Sequence, residues 1–299
     1  MTKAKFERGK PSVAIIGPGR LGLALSVALR ESGYPIVAFV SKRVEHARKA
    51  ARLFNDSEQR PRALTADRLD ELPPSDLVLI ATPDDAIEET VRRLAARERG
   101  ASGKVRRQTA LHTSGALSSA VLAPLRQAGF NTGSMHPLVS VSEPFAGAKA
   151  LRGAFYCVEG DPPALRVARL IVKDLRGQSF SIPSEKKALY HSAAVMASPH
   201  LVALFDLAIE MLGACGLSPK RAKEILLPLL VSTVENLKVT DPRRALTGTF
   251  ARGDFATVKR HLAALSTPEF DEARKIYKLL GLHSIRLAGR NGIDEKLLK

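Results

Sequence analysis

Val13-Ala14-Ile15-Ile16-Gly17-Pro18-Gly19-Arg20-Leu21-Gly22-Leu23-Ala24-Leu25 is the stretch that decides the fold. The short apolar run predicts a buried strand, and the alanine- and leucine-rich run after the glycines predicts a helix. Glycines spaced G-x-G-x-x-G between a strand and a helix are typical of a turn that binds a dinucleotide. The open alternative is a glycine-rich turn that only packs.

Each glycine has a separate task in such a turn. Gly17 permits the tight bend, Gly19 has no Cβ to keep a pyrophosphate away from the backbone, and Gly22 lets the helix lie close to the strand. The unpaired N–H groups at the helix N-terminus attract phosphate. The residues predicted to bind cofactor here are Gly17, Pro18, Gly19, Arg20, Leu21 and Gly22.

The next predicted strand, residues 36–40, ends in Ser41-Lys42-Arg43. An acidic residue about 20 positions beyond the glycines would bind the ribose hydroxyls of NAD. A hydroxyl and two cations suit a 2′-phosphate instead, so the sequence favours NADP(H) over NAD(H). An exposed basic turn is the alternative.

Further strands are predicted over residues 76–81, 109–112, 132–136, 155–160 and 178–182. Ligands of a doubly wound sheet bind outside the carboxyl ends of its strands. Thr82, Pro83, Thr113 and Ser114 are therefore predicted at the cofactor, and Ser114 also at the substrate. Asp84 and Asp85 are expected to cap the following helix.

From Ser184 onward the sequence has helical character only. A helix is predicted from there to about Ala214, stopped by Gly216 and kinked near Ser198 by Pro199. We therefore predict an α/β chain in which a Rossmann-type doubly wound, mostly parallel sheet domain is followed by an all-α helical domain. The predicted boundaries are a basic tail over 1–11, the sheet domain over 12–183 and the helical domain over 184–299.

Composition restricts the function classes. The chain has 299 residues and a formal net charge of +16, but its basic clusters at 60–62, 92–93 and 106–107 lack interleaved aromatic residues, so nucleic-acid binding is not expected. No run appears long enough to span a membrane and no secretory signal is expected. Cys157 and Cys215 lie far apart without metal-ligand spacing, which predicts no metal and a reducing, cytoplasmic location.

The chemistry candidates lie on both predicted domains. Lys187 and His191 share one helix face, which Ser198 continues, and either side chain can protonate a carbonyl oxygen. Arg252, in a polar turn before Asp254, can hold a carboxylate through two hydrogen bonds. His136 ends a predicted strand. Its side chain can contact the substrate or hold a loop in place, and the sequence does not decide between these two roles. Each of these residues also has a non-functional interpretation. Lys187 can be a solvated surface residue, His191 a hydrogen-bonded histidine between the domains, and Arg252 part of an ordinary loop between helices.

The order of these motifs resembles a known family. The glycine turn, His-Thr-Ser-Gly-Ala-Leu at 112–117, His-Pro-Leu at 136–138, Lys-x-x-Tyr-His at 187–191 and Leu-Thr-Gly…Arg-Gly-Asp at 246–254 resemble bacterial proteins that join a Rossmann-like domain to a DUF2520 helical domain. That family is similar to ketopantoate reductases, 6-phosphogluconate dehydrogenases, pyrroline-5-carboxylate reductases and deazaflavin-dependent NADP reductases.

The resemblance implies an NADP(H)-binding domain and a helical domain that closes over a small anionic substrate and pairs two subunits. A helical lysine is the usual proton donor in the related reductases, which places Lys187 first and His191 second. Pro199 and Thr249 depart from the family pattern, which has asparagine and proline there.

The resulting hypothesis is an NADPH-dependent reductase of a small oxo acid, with ketopantoate as the leading substrate. The alternatives are an imine reductase of the pyrroline-carboxylate kind and a regulatory protein that binds NADP(H) without chemistry.

Overall fold

The computed structural model describes residues 9–54, 60–100, 108–289 and 298, with the side chains of 98–100 excepted. The first eight residues of the predicted basic tail and the Arg106-Arg107 pair lie outside the described residues. The chain divides into two compact units, Met1–Ser198 and Pro199–Lys299. This division falls later than the boundary predicted at 183.

The first unit contains an eight-stranded sheet in the described residues, in the order β3-β2-β1-β4-β5-β6-β7-β8. Its strands are β1 Val13–Ile16, β2 Ile36–Ser41, β3 Arg62–Thr65, β4 Leu77–Ile80, β5 Thr109–His112, β6 Asn131–Pro137, β7 Phe155–Gly160 and β8 Gln178–Phe180. Every pairing is parallel except that of β6 with β7. The predicted mostly parallel, doubly wound sheet is confirmed.

The central strands are apolar on both faces. All four residues of β1, of β4 and of β5 are buried, because helices cover both sides of the sheet. The covering helices are α1 Arg20–Glu31, α2 Val44–Arg52, α3 Asp84–Gly100, α4 Ala123–Gln127, α5 Pro144–Leu151 and α6 Pro162–Asp174. The strand order reverses between β1 and β4, which is where such sheets bind ligands.

Two elements of this unit escape the sequence prediction. The edge strand β3 is short and begins with exposed Arg62, so it shows neither an apolar run nor clear alternation. Helix α5 is only eight residues long, and the Glu143 carboxylate caps it by accepting from the Phe145 and Ala146 amides. A 3-10 segment, Ala66–Glu71, follows β3.

The second unit is helical throughout its described residues. Its helices are α8 Pro199–Ala214, α9 Pro219–Val239, α10 Pro242–Ala245, α11 Gly248–Arg252, α12 Phe255–Ala264 and α13 Asp271–Leu287. Ser218 and Asp241 cap α9 and α10 through their side chains, and a proline follows each. The predicted all-α character after the sheet is confirmed.

The long helix expected from Ser184 is divided. A 3-10 segment, Ser184–Lys186, leads into α7, Lys187–Ala197, and α8 begins only at Pro199. Ser198 between them has φ −132° and ψ −78°, outside the helical region, and the proline after it disfavours a helical backbone there. The predicted kink at this position is confirmed.

One expectation about this segment is wrong. Among the described residues, Ser184–Ala214 is long and apolar enough to span a membrane by length and composition, with a mean hydropathy of 1.6. Neither α7 nor α8 alone reaches the roughly 20 residues that a membrane-spanning helix needs. The segment is therefore weak evidence for a membrane span.

Candidate functional site

The glycine turn joins β1 to α1 against the end of β4. Gly17 has φ +90°, and a Cβ there would lie 2.7 Å from both the carbonyl carbon of Ala81 and the amide nitrogen of Thr82. A Cβ on Gly22 would overlap the carbonyl oxygen of Gly17. Only glycine fits these two positions, whereas the space around Gly19 is open. The turn therefore leaves bare backbone at the point where the strand order reverses.

The N-terminus of α1 is suited to an anion. Gly19 occupies the N-cap position without a side-chain cap, and no acidic residue lies in the first turn of the helix. Arg20 is exposed and Pro18 and Leu21 are half-buried around the same turn. Backbone N–H groups and the helix dipole at such an end attract phosphate groups.

The end of β2 is basic. Ser41 is the last strand residue, and the side chains of Lys42 and Arg43 are exposed before α2 begins at Val44. β2 pairs in parallel with β1, so these cations lie at the same edge of the sheet as the glycine turn. No carboxylate stands between Ser41 and Val44 to oppose a phosphate group.

Thr82 and Pro83 follow β4 beside the glycine turn. The Thr82 hydroxyl oxygen is buried and has no hydrogen-bond partner in the described part of the chain. Buried polar atoms are usually paired. The hydroxyl therefore marks a position where a bound molecule can supply the missing partner, beside a backbone cradle that excludes side chains.

Ser114 is the centre of a polar cluster at the end of β5. Its hydroxyl donates to the carboxylate of Asp84 at 2.8 Å and accepts from the amides of Ala116 and Leu117. Its own amide donates to Nδ1 of His112 at 3.2 Å. Thr113, beside it, is buried, and its amide donates to the carbonyl of Ile80 on β4. The loop after β5 is thus held rigidly over the sheet edge.

Lys187 reaches into this cluster from the first turn of α7. It is 1% exposed, and its Nζ donates to the Ser134 hydroxyl at 2.6 Å and to the Ser114 carbonyl at 3.2 Å. Burial lowers the pKa of Lys187, while nearby Cys157 and Glu159 act in the opposite direction. The lysine is therefore a desolvated cation closer to neutrality than a surface lysine.

Three aromatic side chains surround Gly115 and the end of β6. Nδ1 of His136 lies 2.7 Å from the Tyr190 hydroxyl. The rings of His136 and His191 meet edge to face, with centroids 5.4 Å apart. A Cβ on Gly115 would overlap Nδ1 of His191 and would lie 2.8 Å from Nε2 of His136. Glycine is therefore required for both imidazoles to approach the loop.

Burial keeps His136 and His112 neutral. Burial, then His191, then Lys187 lower the pKa of His136 from 6.5 to about 4. Burial and then Lys187 lower the pKa of His112 to about 3. Both imidazoles are therefore uncharged at neutral pH, and Lys187 contributes to keeping them so.

Five predicted residues meet in the first unit. Lys187, Ser114, Thr113, His136 and His191 lie around the ends of β5 and β6 and the start of α7. Ser198 lies at the C-terminal end of α7, where its amide donates to the Val195 carbonyl.

Arg252 belongs to the second unit. It is the last residue of α11 and precedes Gly253, which has φ +72°. The Asp254 carboxylate accepts from the Thr257 amide at 3.1 Å and caps α12.

Sequence reasoning missed three members of the cluster. Asp84 was assigned to helix capping, yet its carboxylate receives the Ser114 hydroxyl hydrogen bond. Ser134 and Tyr190 were assigned no role, although Tyr190 is the tyrosine of the Lys-x-x-Tyr-His motif. The signals existed: Ser134 lies two residues before His136 on the same strand face, and Tyr190 lies three residues after Lys187 on the same helix.

Family models match both parts of the chain. The model of a Rossmann-like domain matches residues 1–137, and that of DUF2520, a domain of unknown function, matches residues 154–284. Together they leave only 138–153 and 285–299 unmatched. The DUF2520 match includes β7, β8 and α7 as well as most of the second unit. None of the curated proteins matches this sequence.

Solved structures show the same fold over nearly the whole chain. A candidate NADP oxidoreductase of Bacteroides fragilis has a TM-score of 0.73 at 23% identity, covering 93% of this chain and 98% of its own. The 1-pyrroline-5-carboxylate reductase of Streptococcus pyogenes has a TM-score of 0.58 at 15% identity, covering 97% of each chain. A pyrroline carboxylate reductase of Plasmodium falciparum with NADP bound has a TM-score of 0.54 at 11% identity, covering 97% of this chain and 98% of its own.

Proposed function

Because the chain carries a Rossmann-like domain followed by a DUF2520 domain, we propose that it is an NADPH-dependent reductase of a small oxo acid. The observation that carries the proposal is Lys187, a buried lysine hydrogen-bonded to Ser134 and Ser114 at the carboxyl edge of the parallel strands. A desolvated lysine at a ligand-binding edge is suited to proton transfer. Ketopantoate is the leading substrate, on the family resemblance alone.

The residues present fit a dinucleotide. Bare backbone at Gly17 and Gly19, together with the N-terminus of α1, receives the diphosphate. Lys42 and Arg43, with Ser41, receive a 2′-phosphate, which favours NADP(H) over NAD(H). Thr82, Pro83, Thr113 and Ser114 line the side of the cleft toward the nicotinamide, and the unpaired Thr82 hydroxyl gains a partner there.

The chain's own residues manage the proton. A bound NADPH supplies a hydride to the substrate. Lys187 holds at Nζ the proton that neutralises the developing oxyanion, and its lowered pKa eases the release of that proton. Ser134 and the Ser114 carbonyl fix the direction of the ammonium group. His191 is the second candidate for this proton.

The substrate's remaining groups need other partners. Ser114 and His136 are assigned to substrate in the first unit, together with Ser198 at the C-terminal end of α7. Arg252 is assigned to the carboxylate of the substrate, because a guanidinium forms two parallel hydrogen bonds with a carboxylate.

Reduction of an imine is the second candidate within this chemistry. The fold similarity to pyrroline carboxylate reductases favours it, since the same arrangement serves a C=N bond. A regulatory protein that binds NADP(H) without chemistry is the alternative outside catalysis.

A substrate panel tests the proposal. The pure protein is given NADPH deuterated at the transferred position with ketopantoate, other small oxo acids and cyclic imines, and the products are examined for deuterium by mass spectrometry. Deuterated hydroxy acid supports the oxo-acid assignment and deuterated amine supports the imine alternative. Binding of NADPH without any labelled product favours the regulatory alternative and contradicts the proposal.

The variant Lys187→Met tests the proton donor in the same assay. It keeps a long apolar side chain but removes the ammonium group, so we expect kcat to fall by about 100-fold or more while NADPH affinity stays close to that of the wild type. Lys186→Met is the matched control, because Lys186 is the exposed neighbour of Lys187. Equal kcat values for the two variants would exclude Lys187 as the proton donor.

A further inference from the structure

Tyr190 is a half-buried tyrosine to which the proposed function assigns no role. It lies on α7, one turn after Lys187, and its hydroxyl is 2.7 Å from Nδ1 of His136 on β6. The two rings meet edge to face at 87°. Phe180 contacts the other side of Tyr190, with ring centroids 5.9 Å apart, so the phenol is held between two rings.

The direction of this hydrogen bond follows from the acidity of the two groups. Burial raises the pKa of Tyr190 and lowers that of His136, so both groups are neutral at pH 7. A phenol is a better hydrogen-bond donor than a neutral imidazole N–H, and an imidazole nitrogen is a better acceptor than a phenol oxygen. In the described part of the chain the Tyr190 hydroxyl has no other hydrogen-bond partner. The phenol therefore donates and Nδ1 accepts.

This direction fixes the tautomer of His136. An accepting Nδ1 carries a lone pair, so the single ring proton must lie on Nε2. Nε2 lies beside Gly115, at the loop that follows β5 and next to the Ser114 cluster. Among the described residues it has no hydrogen-bond partner. The free N–H thus lies at the edge of the sheet where ligands bind.

The charges around His136 support a neutral donor. Lys187 and His191 on α7 lower its pKa, and on the neighbouring strand β7 its register partner is the uncharged Cys157. No carboxylate contributes to the shift at His136. A neutral imidazole polarises a carbonyl group by hydrogen bonding without transferring its proton.

We infer that Tyr190 is a positioning residue, which holds His136 as the Nε2–H tautomer so that His136 donates a hydrogen bond to an acceptor oxygen of the substrate. The substrate contact rests on the proposed reductase function. The tautomer does not, because it is a property of the ligand-free protein.

Nitrogen NMR of the imidazole rings tests the tautomer. The protein is labelled with ¹⁵N at histidine, and His136→Gln identifies the His136 signals among those of the seven histidines. We expect a protonated, pyrrole-type Nε2 and an unprotonated Nδ1 in the wild type. In Tyr190→Phe we expect a mixture of tautomers and a higher pKa for His136, because the hydrogen bond that favours the neutral ring is lost. A protonated Nδ1 in the wild type, or unchanged signals in Tyr190→Phe, would overturn the inference.

The second unit supplies a matched control. His261 and Tyr277 form the same kind of pair, with Nδ1 and the hydroxyl 2.7 Å apart and the rings at 87°. Tyr277→Phe removes an equivalent hydrogen bond elsewhere and should leave the His136 signals unchanged.

Kinetics test the substrate contact. With the substrate identified by the panel, we expect Tyr190→Phe to lower kcat about tenfold with the KM for NADPH unchanged. Glutamine at position 136 presents an amide N–H without needing Tyr190, so adding Tyr190→Phe to His136→Gln should cost little further. Additive losses in the double variant would show that Tyr190 acts only through packing and would overturn the contact. If the panel finds no substrate, the proposed function fails while the NMR result still decides the tautomer.

Discussion

The sequence leaves open whether Lys187 is a surface residue or a site residue, and the structure shows that its side chain is buried. Its place in the first turn of a helix is equally compatible with a solvated cation and with a site residue. In the structure its side chain is as buried as the core leucines, and two hydrogen bonds replace the water that it loses. A buried charge with this few partners is costly, which is typical of functional sites.

The buried histidines predict an acid-sensitive fold. The folded-state pKa values of His136, about 4, and His112, about 3, lie below the ordinary 6.5. Between pH 6.5 and 4 the unfolded chain therefore binds more protons than the folded one, and the free energy of unfolding falls as pH falls. Well above pH 6.5 these histidines are neutral in both states, and the two states bind equal numbers of protons at these sites.

Urea unfolding at pH 6.5 and at pH 4.5 measures this effect. We expect the free energy of unfolding of the wild type to fall over this interval by more than that of His136→Gln, which loses the contribution of His136 and keeps those of His112 and the other titrating groups. Equal pH dependence in the two proteins would contradict a neutral, buried His136. Lys187 and His191, which face His136 and lower its pKa, are present in both proteins.

The residues of the site were partly predictable. Lys187, Ser114, His136 and His191 were identified by type and spacing, and the structure brings them together. Asp84, Ser134 and Tyr190 were not, because their contacts depend on strand register and on how α7 lies against the sheet edge. Neither the strand register nor the packing of α7 against the sheet can be derived from the spacing of residues along the sequence.

At the scale of elements, apolar runs and glycines were sufficient for most of the sheet. β1, β2 and β4 match predicted strands because buried parallel strands read as nearly continuous apolar runs, and β5 and β7 also match predicted strands. β3 and α5 were missed because an edge strand of four residues and a helix of eight residues are too short to show a clear hydrophobic pattern. The antiparallel pairing of β7 with β6 was not predicted either, because the hydrophobic pattern of a strand does not determine the direction of its neighbour.

Helices α8 and α9 have an apolar surface that the single chain leaves uncovered. Among their described residues only Ala222 is buried, whereas Val202, Leu229 and Val239 are 70%, 65% and 83% exposed. Apolar surface of this extent usually marks an interaction site. We propose that a second copy of the chain covers it, forming a homodimer through the helical unit.

Sedimentation of Leu229→Glu tests this pairing. A buried carboxylate without a partner destabilises an interface, so we expect the wild type to sediment as a dimer and the variant as a monomer at micromolar concentration. Leu170→Glu, which changes an apolar residue of α6 that is 41% exposed, is the control and should remain dimeric. A monomeric wild type would contradict the pairing.

At the scale of the whole molecule, the strand order and the charge favour the same ligand. The order of the sheet places the glycine turn, the basic end of β2 and the unpaired Thr82 hydroxyl at one edge. A net charge of +16 attracts anions in general, and this edge combines cations with bare backbone. The doubly wound, mostly parallel sheet was predictable from the strand–glycine–helix pattern, whereas the strand order comes from the structure. The substrate was not predictable, because its specificity depends on a few side chains rather than on the fold.

The central claim is that this edge binds NADPH. Isothermal titration calorimetry of the pure, folded protein with NADPH and with NADH measures it directly. We expect both coenzymes to bind and NADPH to bind at least about tenfold more tightly, a difference of ~1.4 kcal/mol. Absence of binding by either coenzyme would contradict the account.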